Sequence, residues 1–110
     1  MYIKYDEYEL LELFEKEPIL VCGNDAGVFM YSNVDKCNVK LVVLFSVYEN
    51  TCKVSLCHSE RNDKLIFECS IVEVERIECR KSTMKIMKSG GGSSIGISFN
   101  PNYSINIERM

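Results

Sequence analysis

Along the first part of the chain, apolar side chains return at three- and four-residue spacing. Leu10, Leu11 and Phe14, with Tyr8 as a further candidate, share one stripe of a helix drawn over residues 5–17, while Glu12 and Glu15 fall on the other side. Asp6 stands where an N-cap belongs, and Glu9 three residues later completes an Asp-x-x-Glu capping box. Pro18 is expected to end the helix, because the residue before proline is pushed out of the α region. Asp6, Glu7, Glu9, Glu12, Glu15 and Glu17 face only Lys4 and Lys16, so the outer side of this segment is acidic.

From Ile19 onward the period drops to two, the spacing of strands. Residues 19–22 and 28–32 read as short strands around the turn Gly23-Asn-Asp-Ala-Gly27, and residues 33–38 as a polar loop. In residues 39–48, Val39, Leu41, Val43, Phe45 and Val47 share one face, and Val42 and Leu44 are apolar on the other. That pattern predicts a central strand covered on both sides. Glu49-Asn-Thr51 turns the chain into a strand over residues 52–58, and residues 59–63 form a second polar turn. Residues 64–75 change phase. Leu65, Phe67, Cys69 and Ile71 are apolar at odd positions, then Val72 and Val74 take over while Glu73 and Glu75 carry charge. One strand cannot bury both sets without a bulge or sharp bend near Ile71.

Residues 77–82 lead into a strand over 83–88, where Met84 and Ile86 oppose Lys85. Ser89-Gly-Gly-Gly-Ser-Ser94 reads as a mobile loop. A last hairpin sets Ile95, Ile97 and Phe99 against Tyr103, Ile105 and Ile107 across Asn100-Pro-Asn102, each arm with one buried and one wet face. The pattern predicts an α+β fold: one N-terminal helix packed on a curved, mostly antiparallel sheet, a half-barrel or meander, of seven to eight strands.

Composition narrows the possibilities. A chain of 110 residues has room for one domain, expected to span residues 1–110. With 46% hydrophobic and 26% charged residues it is not disordered. No apolar run approaches the ~20 residues that cross a bilayer, so no membrane role is expected. The start, Met1-Tyr-Ile-Lys-Tyr-Asp-Glu, is acidic where a secretory signal is basic and then apolar. Together with six cysteines read as small core residues, this points to the cytoplasm. Thirteen Lys and Arg against 16 Asp and Glu, net charge −3, argue against binding nucleic acid through overall charge.

Few residues suggest bond chemistry. His58 and Cys57 are neighbours on a strand and point to opposite faces, so they cannot form a nucleophile–base pair. Cys22, Cys37, Cys52, Cys57, Cys69 and Cys79 contain no Cys-x-x-Cys knuckle; the nearest zinc-like spacing, Cys52-x4-Cys57-His58, is divided between faces. Gly90, Gly91 and Gly92 lack the Lys-Ser/Thr of a phosphate loop. No acid stands isolated in an apolar run, as a protonated general acid would. No catalytic, metal or cofactor-binding residue is therefore expected, and no enzyme activity. Arg76, Arg80, Lys81, Lys85 and Lys88 form a basic stretch over residues 76–88, read as a solvated edge strand, with a nucleic-acid contact as the alternative. A small-ligand carrier built on an apolar half-barrel is a second alternative.

What remains is charge asymmetry. Glu7, Glu12 and Glu15 face out from the helix and Glu73 and Glu75 from the bent strand, with Glu60 and Asp63 on the adjacent hairpin. Acids aimed at a basic cleft mimic phosphates and speed association through long-range attraction.

The acidic start followed by Gly27-Val-Phe-Met-Tyr-Ser32, Val39-Lys-Leu-Val-Val-Leu-Phe-Ser-Val-Tyr48 and Lys64-Leu-Ile-Phe-Glu-Cys-Ser-Ile-Val-Glu-Val-Glu75 resembles an immunity protein of bacterial polymorphic-toxin systems, of the contact-dependent growth inhibition type. The resemblance spans most of the chain and includes no diagnostic motif. It implies a cytoplasmic protein without catalytic activity that binds the toxic domain of a cognate effector, often a nuclease, and covers its active site. The seven carboxylates just named are the expected contacts.

Overall fold

The structure, a computed structural model, describes residues 2–90 and 94–108. Residues 91–93 of the loop expected to be mobile lie outside the described residues. Helix α1 (Glu7–Phe14) precedes nine described strands: β1 (Ile19–Val21), β2 (Val28–Val34), β3 (Val39–Ser46), β4 (Thr51–His58), β5 (Lys64–Ile71), β6 (Val74–Arg80), β7 (Thr83–Lys88), β8 (Ser94–Ser98) and β9 (Ser104–Glu108). They form two antiparallel meanders, a five-stranded sheet in the order β1-β2-β3-β4-β5 and a four-stranded sheet in the order β6-β7-β8-β9. The α+β class holds, while the single sheet of seven to eight strands becomes nine strands in two.

The division falls at the predicted change of phase. Ile71 ends β5 opposite Cys52 with its side chain buried. Val72 is 54% exposed, and Glu73 adopts a left-handed backbone (φ 56°). Val74 then opens β6, fully buried. Two residues thus turn a corner that a bulge would only have bent, and Ile71 and Val74 reach one core from different sheets while Leu65 and Val72 stay exposed. Asn50 fixes the corner: its carbonyl accepts from Val74 N at 2.8 Å and its Nδ2 donates to Val74 O at 3.0 Å.

The helix starts as expected. Asp6 Oδ1 accepts from Tyr8 N at 2.9 Å and Glu9 N at 3.3 Å, a cap worth about 1 kcal/mol. It ends earlier than Pro18 requires. Glu15 takes a left-handed C-cap (φ 59°), its N–H donating to Leu11 O, and Asn33 Nδ2 reaches from β2 to Phe14 O at 2.8 Å. Tyr8 is 75% exposed rather than inward; Leu10 and Phe14 are the buried stripe.

Leu10, Phe14, Leu41, Val43, Phe45, Val54, Ile71, Val74, Ile86 and Ile95 belong to one buried cluster fed by the helix and both sheets. Phe14 is its wedge, with ring centroids 5.3 Å from Tyr31 and 5.2 Å from Phe99. Truncating such a ring to alanine costs about 3–5 kcal/mol.

Three strand expectations change. β3 is central in its sheet, but Val42 and Leu44 are only half-buried, because nothing in the described chain packs on that outer face. Val47 and Tyr48 leave β3 for the turn: Val47 N donates to Gly27 O at 2.8 Å, and Val47 O accepts from Ile3 N at 3.2 Å. In the last hairpin β8 buries Ile95 and Ile97, whereas Ile107 on the edge strand β9 stays 43% exposed. The segment before the helix shields the other edge of that sheet. Lys4 pairs with Arg76 in parallel, donating to Glu75 O at 3.0 Å and accepting from Ile77 N at 2.9 Å.

Candidate functional site

Meander connectivity sends successive turns to opposite ends of the molecule. One end gathers the β1–β2 turn with Gly27, the β3–β4 turn with Tyr48 and Glu49, the corner at Val72 and Glu73, and the N-terminal segment. The opposite end gathers the β2–β3, β4–β5, β6–β7 and β8–β9 turns. Helix α1 starts toward the first end and finishes beside the second.

All seven carboxylates singled out in the sequence are exposed, and the structure divides them. Glu7, Glu73 and Glu75 belong to the first end. Glu7 and Tyr48 both act on the Tyr5 hydroxyl, whose pKa rises chiefly through burial and then through these two neighbours. Glu75 Oε2 lies 3.7 Å from Arg76 Nη2, and Arg76 Nη1 donates to Glu78 Oε2 at 3.3 Å.

Glu12 and Glu15 belong to the second end. With Leu13, Asp35, Arg80, Lys81, Phe99 and Tyr103 they line an open cleft of about 740 Å³. Glu60 and Asp63 also lie there but are engaged locally. Glu60 Oε1 accepts from Asn38 Nδ2 at 3.0 Å, and Asp63 Oδ2 lies 3.2 Å from Lys40 Nζ.

Sequence reasoning passed over three participants. Tyr2 is 61% exposed and meets Tyr48, 54% exposed, at 4.9 Å between ring centroids and 76° between planes. Tyr48 ends the run predicted as a strand over residues 39–48, a position that carries no signal of exposure. Asp35 is the third. Its Oδ1 accepts from Cys37 N at 2.9 Å and Val39 N at 3.0 Å, and its Oδ2 accepts from Tyr103 N at 3.2 Å. It ties the two sheets together at the second end.

Of the six cysteines expected in the core, Cys52 and Cys57 are buried and Cys69 and Cys79 half-buried, whereas Cys22 and Cys37 lie in or beside surface turns and are exposed. His58 is exposed at the end of β4, and Cys57 before it is buried. Burial pushes the Cys52 thiol up to about 12, with Cys69 adding to it; burial, then Glu9 and Asp6, push Cys79 up to about 12. Such thiols stay protonated and are poor nucleophiles. Among the described residues no three His, Cys, Asp or Glu side chains converge in a way that would hold a metal ion. In the basic stretch, Arg76 is held by Glu75 and Glu78, and Lys85 is the cross-strand partner of Glu78. No described helix is long and apolar enough to cross a membrane.

The architecture defines an α+β protein: a capped N-terminal helix and two antiparallel meanders that share one buried cluster. A chain of the contact-dependent growth inhibition toxin–immunity protein complex from Klebsiella pneumoniae 342 has the same fold, with a TM-score of 0.79, 24% identical residues, and coverage of 98% of each chain. At that identity the likeness is one of fold. No family model and no curated protein matches the sequence.

Proposed function

We propose that this chain is the immunity component of a contact-dependent growth inhibition system. It binds the toxic domain of a cognate effector one to one, covers its active site, and makes or breaks no bond itself. The observation that carries this reading is the fold shared over nearly the whole chain with a member of a toxin–immunity protein complex. The side chains favour the inhibitor over the toxin. Cys52 and Cys79 are held protonated, His58 and Cys57 point apart, and the seven named carboxylates are exposed and lie at two different ends of the molecule.

The target in this reading is a cytoplasmic nuclease whose basic substrate cleft takes the acidic side chains in place of phosphate. Glu7, Glu12, Glu15, Glu73 and Glu75 are the proposed contacts, with Glu60 and Asp63 behind them because Asn38 and Lys40 already occupy those two.

Co-expression with the C-terminal domain of the effector encoded beside this gene tests the reading. Rescue from growth arrest and a purified one-to-one complex without nuclease activity are expected. Growth arrest unaffected by this chain would overturn the inhibitor assignment. Rescue from a domain that cleaves neither DNA nor RNA would keep the inhibitor and remove the nuclease.

A further inference from the structure

We infer that the first end of the molecule, centred on Tyr2 and Tyr48, is the surface that docks into a cationic groove of the toxin. This rests on the immunity reading above and specifies its contact. Three observations meet there.

The first is exposed apolar area on a rigid support. Tyr2, Tyr48 and Val72 are 61%, 54% and 54% exposed, and the two rings are already packed edge to face. Tyrosine is enriched at the energetic centres of interfaces, because it offers a large contact with few torsions to freeze.

The second is preorganisation. The Tyr48 ring lies over Gly27, with Cε2 only 2.8 Å from where a Cβ would stand. The turn carrying it is pinned on both sides, by Val47 N to Gly27 O at 2.8 Å and by Val74 N to Asn50 O at 2.8 Å. The ring is therefore held in place before a partner arrives.

The third is the sign of the surrounding charge. Glu7, Glu49, Glu73 and Glu75 are exposed around the tyrosines; Lys4 in the Tyr2 segment and Lys88 opposite Val74 are fewer than these acids, and Arg76 is engaged by Glu75 and Glu78. At the second end Lys36, Lys40, Arg61, Lys64, Arg80 and Lys81 balance the acids. Carboxylates around exposed rings select a cation, and a guanidinium satisfies both groups, pairing at its edge and stacking through its plane. The same end of a second copy would bring like charges together. The occupant is thus an Arg- or Lys-lined groove.

Binding of the purified toxic domain encoded by the adjacent gene, measured by calorimetry, decides this. Tyr48→Ala and Tyr2→Ala are each expected to weaken affinity, the stronger effect reaching about thirtyfold. Tyr48→Phe keeps the ring and should stay within about threefold of wild type. Lys81→Glu, exposed in the cleft at the second end, should have little effect. Thermal melts of each variant separate lost contact from lost fold. No binding by the wild-type chain would overturn the inhibitor assignment and the surface with it. Wild-type binding with both tyrosine variants unchanged would overturn the surface alone, and a tenfold change on Lys81→Glu would move the contact to the opposite cleft.

Discussion

Tyr31 and Tyr103 hold their hydroxyls where only the neutral phenol is comfortable. Burial pushes each up to about 12; Tyr5 and Glu7 add most to the effect on Tyr31, and Asp35 and Glu15 add to that on Tyr103. An unfolded chain releases these protons near pH 10. Above that value the folded state keeps protons that the unfolded state has lost, so stability falls as pH rises. The contribution is complete below about pH 10 and is withdrawn between about 10 and 12. Denaturant melts across this window should show a steep decline, made shallower by Tyr31→Phe and by Tyr103→Phe. A decline of the same slope in both variants would show that other groups cause it. The Cys52 and Cys79 thiols act in the same direction from a lower starting point, near 8.5. At this scale the chain is built to keep its polar hydrogens, which is the opposite of what a nucleophile needs.

Among the elements, the joint between the sheets at the second end depends on one carboxylate. Asp35 accepts three backbone N–H bonds, two within its own turn and one from Tyr103 across the gap. Hydrogen bonds to a charged acceptor contribute about 1.5–3 kcal/mol each, less the water they displace, so Asp35→Ala should cost about 2–3 kcal/mol in denaturant unfolding. Asp35→Asn retains one carbonyl acceptor and should fall between the two; an Asp35→Ala protein as stable as wild type would show that the joint holds by packing alone. Much at this scale was legible in the sequence. Asp6 and Glu9 marked the helix start, period-two runs marked the strands, and the phase change at Ile71 marked the corner. Other features depended on contacts distant in sequence. Asn33 stops the helix from nineteen residues away, so local rules extended it to Pro18. Val42 and Leu44 were read as covered because periodicity reports which side chains share a face, and says nothing of whether another layer lies on it.

For the whole molecule, the uneven distribution of charge matters more than the net value of −3. On the proposed reading, the acids gathered around Tyr2 and Tyr48 would orient the chain in the field of a basic toxin domain before contact. Reversing Glu73 and Glu75 to lysine is expected to slow association with the proposed toxin domain by about tenfold at low salt and to flatten the salt dependence of the rate. Stopped-flow kinetics unchanged in both respects would remove these two residues from the encounter. The acids of this surface could be read from the sequence because charged residues declare themselves. The tyrosines could not, since Tyr2 and Tyr48 are forty-six positions apart and meet only when Ile3 bonds to Val47. The order of the two meanders also bears on how the protein is made. The five-stranded sheet is complete at Ile71, whereas the layer that shields its inner face, apart from Leu10 and Phe14 of the helix, is supplied by residues from Val74 onward. A ribosome therefore releases Leu41, Val43, Phe45 and Val54 well before Ile86 and Ile95 exist to cover them. During that interval the nascent chain carries a greasy sheet that only the helix covers, and a chaperone or fast completion of synthesis must guard the rest.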